Sequence, residues 1–185
     1  MTKRSHFFKY QNPFNAMLSS PKNKKKSLIT ITGSPGVGKS TLATFLVQKL
    51  GFDRLDLHHY YQHISTGYNR SKQSYDIDYK KFEKLVKEKL QESKKGLVID
   101  SHISHHLPKR LVDLCIVLTC SDFKKLEKRL KARKYSKKKI RENLDAEIFQ
   151  VCLTEAQEGK HKILIFDTAK GIDEKKILKE LNKSL

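Results

Sequence analysis

Cysteine is scarce in this sequence. The three cysteines, Cys115, Cys120 and Cys152, form no Cys-x-x-Cys pair. An odd number of cysteines argues against the disulfide framework of a small secreted protein. Because Cys115 and Cys120 lie in or near an apolar run, we expect buried free thiols at both positions.

Long apolar segments are absent as well. No stretch approaches the ~20 consecutive apolar residues that a membrane-spanning helix requires. The N-terminus does not show the apolar core of a signal peptide. We therefore expect a soluble intracellular protein with no membrane partner, cytoplasmic in general and nuclear if the source is eukaryotic.

Acidic residues are too few to balance the basic ones. Lys and Arg number 39 against 20 Asp and Glu, which gives a formal net charge of +19. Such a surplus favours attraction to polyanions and says nothing about the fold. RNA, an anionic membrane surface and a nucleotide are all compatible with it.

The imbalance is greatest in residues 1–26, which hold seven Lys or Arg and no Asp or Glu. Their aromatic residues show no helical spacing. We favour a flexible basic extension. The alternative is an arm that pairs with phosphates while its aromatic rings stack on bases. Residues 27–185 then form one folded domain.

Strand-like and helix-like patterns alternate from residue 27 onward. Strands separated by helices are typical of a parallel sheet covered on both faces. Residues 58–74 are polar and aromatic, and we expect a helix plus a loop there. The predicted strands are Leu28–Thr32, Arg54–Leu57, Gly96–Asp100, Asp113–Thr119 and Lys162–Phe166. The predicted helices are Lys39–Leu50, Asp78–Lys94 with Asp78 as N-cap, Asp122–Arg133 capped by Ser121 or Asp122, Lys137–Gln157 and Asp173–Leu181.

The first strand and helix flank a Gly-x-x-x-x-Gly-Lys-Ser motif at residues 33–40. In this context the motif predicts a loop whose backbone N–H groups surround the phosphates of a nucleoside triphosphate such as ATP. Lys39 would lie between the β- and γ-phosphates, and the Ser40 hydroxyl would bind Mg²⁺. The remaining candidate nucleotide-binding residues are Gly33, Gly36, Val37, Gly38 and Thr41.

A second acidic residue ends the apolar strand Gly96–Asp100. In a phosphate-loop protein an acid in this position orients Mg²⁺ or its water shell, so Asp100 is the second candidate metal ligand. The alternative is an ordinary aspartate in a turn at the end of a strand.

Three histidines, His102, His105 and His106, follow this acid. We disfavour a zinc site, because no nearby cysteine or carboxylate completes a closed tetrahedral set. We favour a functional His102 that hydrogen-bonds a metal-bound water or helps to place the nucleophile. The other two histidines would line a loop.

Residues 124–141 hold eleven Lys or Arg and one acid, Glu127. Most of these side chains are expected to form a solvated basic face. Arg129, Arg133 and Arg141 flank a predicted helix break, where a hinged lid could bring guanidinium groups over a transferred phosphoryl group. Binding of an RNA backbone is a compatible second hypothesis.

With these features in place, the chain resembles adenylate kinase isoenzyme six and its archaeal relatives. The matching stretches are TGSPGVGKSTL, VIDSHISHHLP, DLCIVLTC, RLKARKYSKKKIRENLDAEIFQV and ILIFDT, and the resemblance spans roughly residues 28–181. The phosphate loop is shared by many enzymes. The Asp-x-His pair and the lid with its following helix are far more specific.

The resemblance implies a three-layer α/β fold of the phosphate-loop nucleoside monophosphate kinase type, with a five-stranded parallel sheet. It implies reversible phosphoryl transfer from Mg-ATP to AMP, accompanied by a slow ATPase activity. The short acceptor-nucleotide segment corresponds to about residues 56–79 and the lid to about residues 132–142. Lys39, Asp100, His102 and Arg133 are the implied catalytic residues, and Arg133 also faces ATP.

The family also acts in maturation of small-subunit ribosomal RNA and binds the ribosomal protein uS11. The resemblance therefore implies uS11 and pre-ribosomal small-subunit RNA as partners. Because uS11 is itself basic, acidic residues such as Asp145, Glu147, Glu155 and Glu158 would have to contact it. Lys134 departs from the family pattern, which has Gly in this lid position and so tolerates strained φ values there.

Two further hypotheses stay open. A nucleotide-switched ATPase could act mainly as a ribosome-assembly or RNA-binding factor, with His102 assisting the attack of water. Alternatively, the loosely matching acceptor segment could serve another small-molecule kinase. The lid and the helix after it argue against this last hypothesis.

Overall fold

The computed structural model of the chain describes residues 25–70 and 74–184. Five parallel strands form one sheet in the order β2-β5-β1-β6-β7, and β3 and β4 form a separate antiparallel hairpin. The strands are β1 Ser27–Thr32, β2 Asp53–Asp56, β3 Ser65–Asn69, β4 Ser74–Ile77, β5 Gly96–Asp100, β6 Leu114–Thr119 and β7 Ile163–Asp167. The helices are α1 Lys39–Leu50, α2 Tyr61–Ile64, α3 Tyr79–Glu92, α4 Phe123–Ala132, α5 Lys137–Ile148, α6 Val151–Glu158 and α7 Glu174–Ser184.

Alternation along the strands divides the core into two layers of apolar side chains. On β1, Leu28 packs on one face of the sheet, whereas Ile29 and Ile31 pack on the other. The face with Ile29 is covered by α1, α4, α5 and α7. The face with Leu28 is covered by α2, α3 and α6. Because both faces are buried, the predicted three-layer α/β fold with a five-stranded parallel sheet is confirmed.

The local signals predicted most of these elements. Asp78 caps α3 by accepting hydrogen bonds from the backbone N–H groups of Lys80 and Lys81 at 2.9 and 3.1 Å. Of the two candidate caps for α4, the structure selects Asp122, whose carboxylate accepts from Lys125 N–H. A capping carboxylate satisfies backbone donors that the first helical turn would otherwise leave unpaired.

The prediction for residues 58–74 was wrong in part. A 3₁₀ turn at Leu57–His59 and the single turn of α2 are followed by the hairpin β3-β4. The two strands are short and largely polar, so they lack the alternation that signals a half-buried strand. The strands pair through their backbones, and the opposed rings of Tyr68 and Tyr75 add an edge-to-face contact at 5.1 Å.

The single long helix predicted over residues 137–157 was also wrong. The chain forms two helices, α5 and α6, separated at Gln150, whose backbone is left-handed with φ of 50°. Neither Gly nor Pro marks the break in the sequence. A left-handed residue ends the α5 hydrogen-bond ladder and gives α6 a new direction.

Strand pairing brings the two predicted functional motifs together. β1 lies next to β5 in parallel register, with Ile31 opposite Asp100. Parallel strands present their carboxyl ends at the same edge of the sheet, which is where open α/β sheets bind ligands. The phosphate loop after β1 and the acid at the end of β5 are therefore neighbours.

The expected cysteine thiols can be located in the structure, whereas the N-terminal extension largely cannot. Cys115 and Cys120 are buried free thiols, as predicted, and Cys152 is half-buried. Within the described residues, no helix is both long enough and apolar enough to cross a membrane. Most of the basic extension predicted at residues 1–26 lies outside the described residues.

The lid position at which the resemblance expects Gly has a strained backbone. Lys134 has φ of 58°, in the left-handed region. Its N–H donates to the Lys131 carbonyl at 2.9 Å and closes the turn after α4. A side chain with a Cβ atom adopts this conformation at a cost of about 1–2 kcal/mol, which Gly avoids.

We expect Lys134→Gly to raise the free energy of unfolding by about 0.5–1 kcal/mol, the relieved strain minus the larger chain entropy that Gly loses on folding. Urea denaturation would measure the change. Lys134→Ala is the matched control, since it removes the charge and keeps the strain, and should change stability by less than about 0.5 kcal/mol. A destabilising Lys134→Gly substitution would contradict the prediction.

Candidate active site

The phosphate loop connects β1 to α1 and folds around the Lys39 side chain. The Lys39 ammonium donates to the carbonyl oxygens of Gly33 and Ser34 at 2.7 and 3.0 Å. Gly33, Gly36 and Gly38 have φ values of 135°, 90° and 109°. At Gly33 a Cβ atom would lie 2.2 Å from the Leu118 carbonyl oxygen, so no larger residue fits there.

Two residues outside the loop fasten its backbone. The Arg129 guanidinium donates to the Gly36 carbonyl oxygen at 3.2 Å. The hydroxyl of Thr168, just after β7, lies 2.7 Å from the Val37 carbonyl oxygen. Val37 itself is fully buried in the core and contributes backbone to the loop. The loop is therefore held in shape by α4 and by the end of β7.

Asp100 is nearly buried and already has a cationic partner. Its side chain is 4% exposed, and Oδ2 accepts from Arg54 Nη2 at 2.7 Å. Arg54 also donates to the Thr44 hydroxyl on α1 at 3.2 Å and lies 3.6 Å from Asp56. The sequence did not indicate Arg54 as a site residue. Its guanidinium links the acid of β5 to the helix that follows the phosphate loop.

Burial around the loop perturbs two ionisable groups. Burial lowers the pKa of Lys39 to about 8, although the Asp100 carboxylate opposes the shift. His102 is reachable from the cavity, but surrounding protein and the Lys39 ammonium lower its pKa to about 3. His102 is therefore a neutral imidazole at physiological pH, able to hydrogen-bond but not to act as a charged acid.

A single cavity of about 620 Å³ contains most of the predicted site residues. This volume is in the range of small-molecule sites. On the phosphate-loop side it is lined by Ser34, Pro35, Gly36, Gly38, Lys39 and Ser40, with Asp100 and His102 beside them. The segment from residue 56 to residue 79 contributes His58, Tyr61, Tyr68, Ser74, Tyr75, Asp76, Ile77 and Tyr79. Thr41 is exposed on the first turn of α1.

The three candidate arginines of residues 124–141 make different contacts. Arg133 lines the cavity together with Tyr135 and Lys139. Arg129 binds the phosphate-loop backbone. Arg141 points away and pairs with Asp145 one turn later on α5, at 2.9 Å, with 76% of its side chain exposed. The structure thus brings two of the three candidate arginines to the site.

Two residues of α5 belong to the site although the sequence did not indicate them. Asn143 is 8% exposed and lines the cavity, and its amide nitrogen has no hydrogen-bond partner among the described residues. Glu147, one turn later, is 5% exposed and accepts from Cys120 N–H at 2.6 Å. Burial raises the pKa of Glu147, and a hydrogen bond with Ser34 opposes this shift. The spacing of four residues between Asn143 and Glu147, which puts both on one face of the helix, was the signal that could have indicated them.

The structure also corrects the acidic surface expected to contact uS11. Glu147 is buried against the phosphate loop. The Glu155 carboxylate is within hydrogen-bond distance of the His105 ring, with Oε2 2.7 Å from Nε2. Asp145 pairs with Arg141, so three of the four proposed acidic contacts are engaged inside this chain.

Comparison with known proteins identifies the family of this chain. A family model described as an AAA domain matches residues 29–150. A Methanocaldococcus jannaschii protein named "Putative adenylate kinase" is 38% identical over 142 residues, covering 76% of each chain. A Schizosaccharomyces pombe protein named "Adenylate kinase isoenzyme 6 homolog" is 35% identical over 157 residues, covering 82% of this chain and 88% of that protein. The chain belongs to the adenylate kinase isoenzyme 6 family.

A solved kinase structure has a similar fold. Shikimate kinase from Acinetobacter baumannii, solved in complex with shikimate, matches with a TM-score of 0.54 at 15% identity. The match covers 86% of this chain and 95% of that one. At this identity the likeness concerns the fold alone.

The donor set at the loop fits the Mg²⁺ ion that the sequence predicts there. Mg²⁺ prefers hard oxygen ligands. The Ser40 hydroxyl is exposed at the start of α1, and the Asp100 carboxylate lines the same cavity. Arg54 already binds Oδ2 of Asp100, and the rest of the carboxylate could hold a metal ion or its water shell.

We expect Arg54 and Asp100 to stabilise the fold as a coupled pair. Removing one partner leaves the other charge without its counter-charge, so Arg54→Met and Asp100→Asn should each lower the free energy of unfolding. The double variant should lose less than the sum, with a coupling energy of about 1–3 kcal/mol. Urea unfolding of the four proteins would measure the cycle. Additivity within about 0.5 kcal/mol would show that the contact adds nothing to stability.

Proposed function

We propose that the protein is a nucleoside monophosphate kinase that transfers the γ-phosphoryl group of Mg-ATP reversibly to AMP. The observation that carries the proposal is one cavity that joins the phosphate loop to the aromatic segment at residues 56–79. A kinase for nucleotides needs both substrates in one enclosed space, because the reaction is direct transfer between them. Family membership and the names of the relatives support the same activity.

The phosphate loop is assigned to ATP. Its backbone N–H groups and the positive end of α1 favour phosphate oxygens. Lys39, now bonded to Gly33 and Ser34 carbonyls, would exchange those contacts for the β- and γ-phosphates. Mg²⁺, when held by Ser40 and Asp100, supplies neutralising charge to these oxygens. Gly36, Val37, Gly38 and Thr41 complete the nucleotide-binding set of the proposal.

Transfer itself requires positioning and charge stabilisation. Arg133 lines the cavity at the end of α4 and would place its guanidinium on the transferred group. The AMP phosphate is already anionic, so no general base is needed to activate it. Neutral His102 is suited to orient a water or a phosphate oxygen through a hydrogen bond. Positioning and electrostatics are the main sources of rate in phosphoryl transfer.

The acceptor side is suited to a planar base. The rings of Tyr61 and Tyr75 lie 6.1 Å apart, and Tyr75 packs edge to face on Tyr68. These three tyrosines line the cavity together with His58, which is held by Asp56 at 2.9 Å. Aromatic walls of this kind bind nucleobases by stacking. AMP is the acceptor that the family resemblance favours.

A nucleotide-switched ATPase that assists ribosome assembly is the second candidate. The charge of the chain supports this candidate. The formal net charge is +19, and nine of the eleven Lys and Arg side chains in residues 124–141 are exposed on α4, α5 and the turn between them. Such a surface favours an RNA backbone, including pre-ribosomal small-subunit RNA. The engagement of Glu147 and Glu155 within the chain makes uS11 the weaker of the two proposed partners.

An assay of ATP turnover with and without AMP separates the candidates. We expect AMP to stimulate formation of ADP with no matching release of inorganic phosphate. Lys39→Ala should reduce this activity at least about 100-fold, because it removes a charge that stabilises the transferred phosphate. Lys49→Ala, an exposed lysine at the other end of α1, is the matched control and should keep full activity.

Other outcomes of this assay would count against the kinase. Release of phosphate that is indifferent to AMP, and that changes when small-subunit RNA is added, would establish the assembly ATPase instead. Activity that survives Lys39→Ala would contradict the role assigned to the phosphate loop.

We expect Asn143→Ala to lower kcat/KM for phosphoryl transfer about 10- to 100-fold, because it removes a polar side chain that lines the cavity. The melting temperature should stay constant or rise, since the substitution also removes a buried amide nitrogen without a partner. Steady-state kinetics and thermal denaturation give the two readouts. Asn182→Ala, an exposed asparagine of α7, is the control. An unchanged kcat/KM would exclude Asn143 from the site.

A further inference from the structure

In the folded chain a carboxylate from a distant part of the sequence lies beside the histidines that follow Asp100. Ser104–His106 form a 3₁₀ turn that packs against α6. Glu155 of α6 brings its Oε2 to 2.7 Å from His105 Nε2 and to 3.9 Å from His106 Nε2. The sequence disfavoured a zinc site because no such ligand lies nearby along the chain. The fold supplies it from a residue 50 positions away.

The three donor atoms have the spacing of a metal site. One ligand atom from each of His105, His106 and Glu155 lies within 4.8 Å of the others. In a tetrahedral site with bonds of about 2.0–2.1 Å, neighbouring ligand atoms are about 3.3 Å apart. The two histidine–carboxylate distances fall on either side of this value, so small side-chain rotations would suffice.

Neighbouring groups orient the histidines. The second ring nitrogen of His105, Nδ1, is hydrogen-bonded to the Thr32 hydroxyl at 2.7 Å. The His105 carbonyl oxygen accepts from His161 Nε2 at 2.8 Å. The ring of His105 is almost fully buried. The His106 ring packs on Tyr79 with centroids 4.8 Å apart. A histidine whose other nitrogen is hydrogen-bonded to protein is the usual arrangement of a metal ligand.

We propose that His105, His106 and Glu155 form a binding site for Zn²⁺ or a similar transition-metal ion. Two imidazoles and one carboxylate suit zinc, whereas Mg²⁺ prefers oxygen ligands alone. All three residues line the large cavity, so three protein ligands would leave a fourth position open to water or to a bound ligand. The site is separate in its ligands from Ser40 and Asp100, and the proposal does not depend on the phosphotransferase activity.

Bound metal would have a structural consequence. It would join the 3₁₀ turn after β5 to α6 by direct coordination. The same turn follows Asp100 and His102 along the chain. A metal ion bound there would therefore restrain the backbone that carries these two residues. Binding to the folded chain alone would raise its melting temperature.

The test is titration of the tag-free full-length chain with ZnCl₂, followed by calorimetry and by melting temperature, with Co²⁺ absorption as a probe of tetrahedral geometry. We expect one Zn²⁺ per chain, an increase in melting temperature and no competition from excess Mg²⁺. His106→Phe keeps the ring contact with Tyr79, and Glu155→Gln keeps the size of the side chain. Each should weaken Zn²⁺ binding at least about tenfold.

Two controls address the other zinc-binding groups of the chain. His59→Phe removes an exposed histidine outside the cluster, and Cys152→Ser removes the half-buried thiol that lies one turn before Glu155 on α6. Both variants should bind Zn²⁺ like the unmodified chain. The proposal is overturned if the chain binds no Zn²⁺, or if His106→Phe and Glu155→Gln bind it unchanged.

Discussion

The parallel pairing of β1 with β5 is the constraint on which the site depends. It sets Ile31 opposite Asp100, and the backbone continues this contact beyond the strands, because Ser101 N–H donates to the Ile31 carbonyl at 3.2 Å. The phosphate loop begins two residues after Ile31. A slip of one residue in this register would turn Asp100 to the opposite face of the sheet and remove it from the loop.

Three cations at the site are bonded to protein groups before any nucleotide arrives. Lys39 is bonded to loop carbonyls, Arg54 to Asp100, and Arg129 to the Gly36 carbonyl. These bonds offset the cost of placing positive charge in a partly buried region. They also hold the loop in the shape that a phosphate requires, so binding exchanges contacts within an organised site rather than ordering a disordered one.

The parts of the molecule that follow from local pattern were predictable, and those that follow from tertiary contact were not. The phosphate loop, the sheet strands and the cap at Asp78 rest on spacing and residue type, and each appears within a residue or so of its expected position. The hairpin β3-β4 escaped prediction because its strands are short and polar. Arg54 and Asn143 escaped because their significance lies in partners or cavities formed by distant segments.

The same limit explains the helix break at Gln150. No residue with a preference for a left-handed backbone marks it, so tertiary packing of α5 and α6 on opposite faces of the sheet overrides the local helical pattern. Glu155 meets His105 only because α6 takes this separate direction.

The hydrogen bond between Glu147 and Cys120 N–H makes one end of α5 a fixed point about which the helix could tilt. The buried carboxylate fixes one end of the helix to the backbone at the end of β6. Lys137 begins the helix ten residues earlier, about 15 Å away at 1.5 Å per residue. A tilt of about 10° around this pivot would displace the outer end by about 2.6 Å while moving Asn143, close to the pivot, by about 1 Å. A small rotation about the anchored end would therefore move Lys139, which lines the cavity near the outer end of α5, more than it would move Asn143.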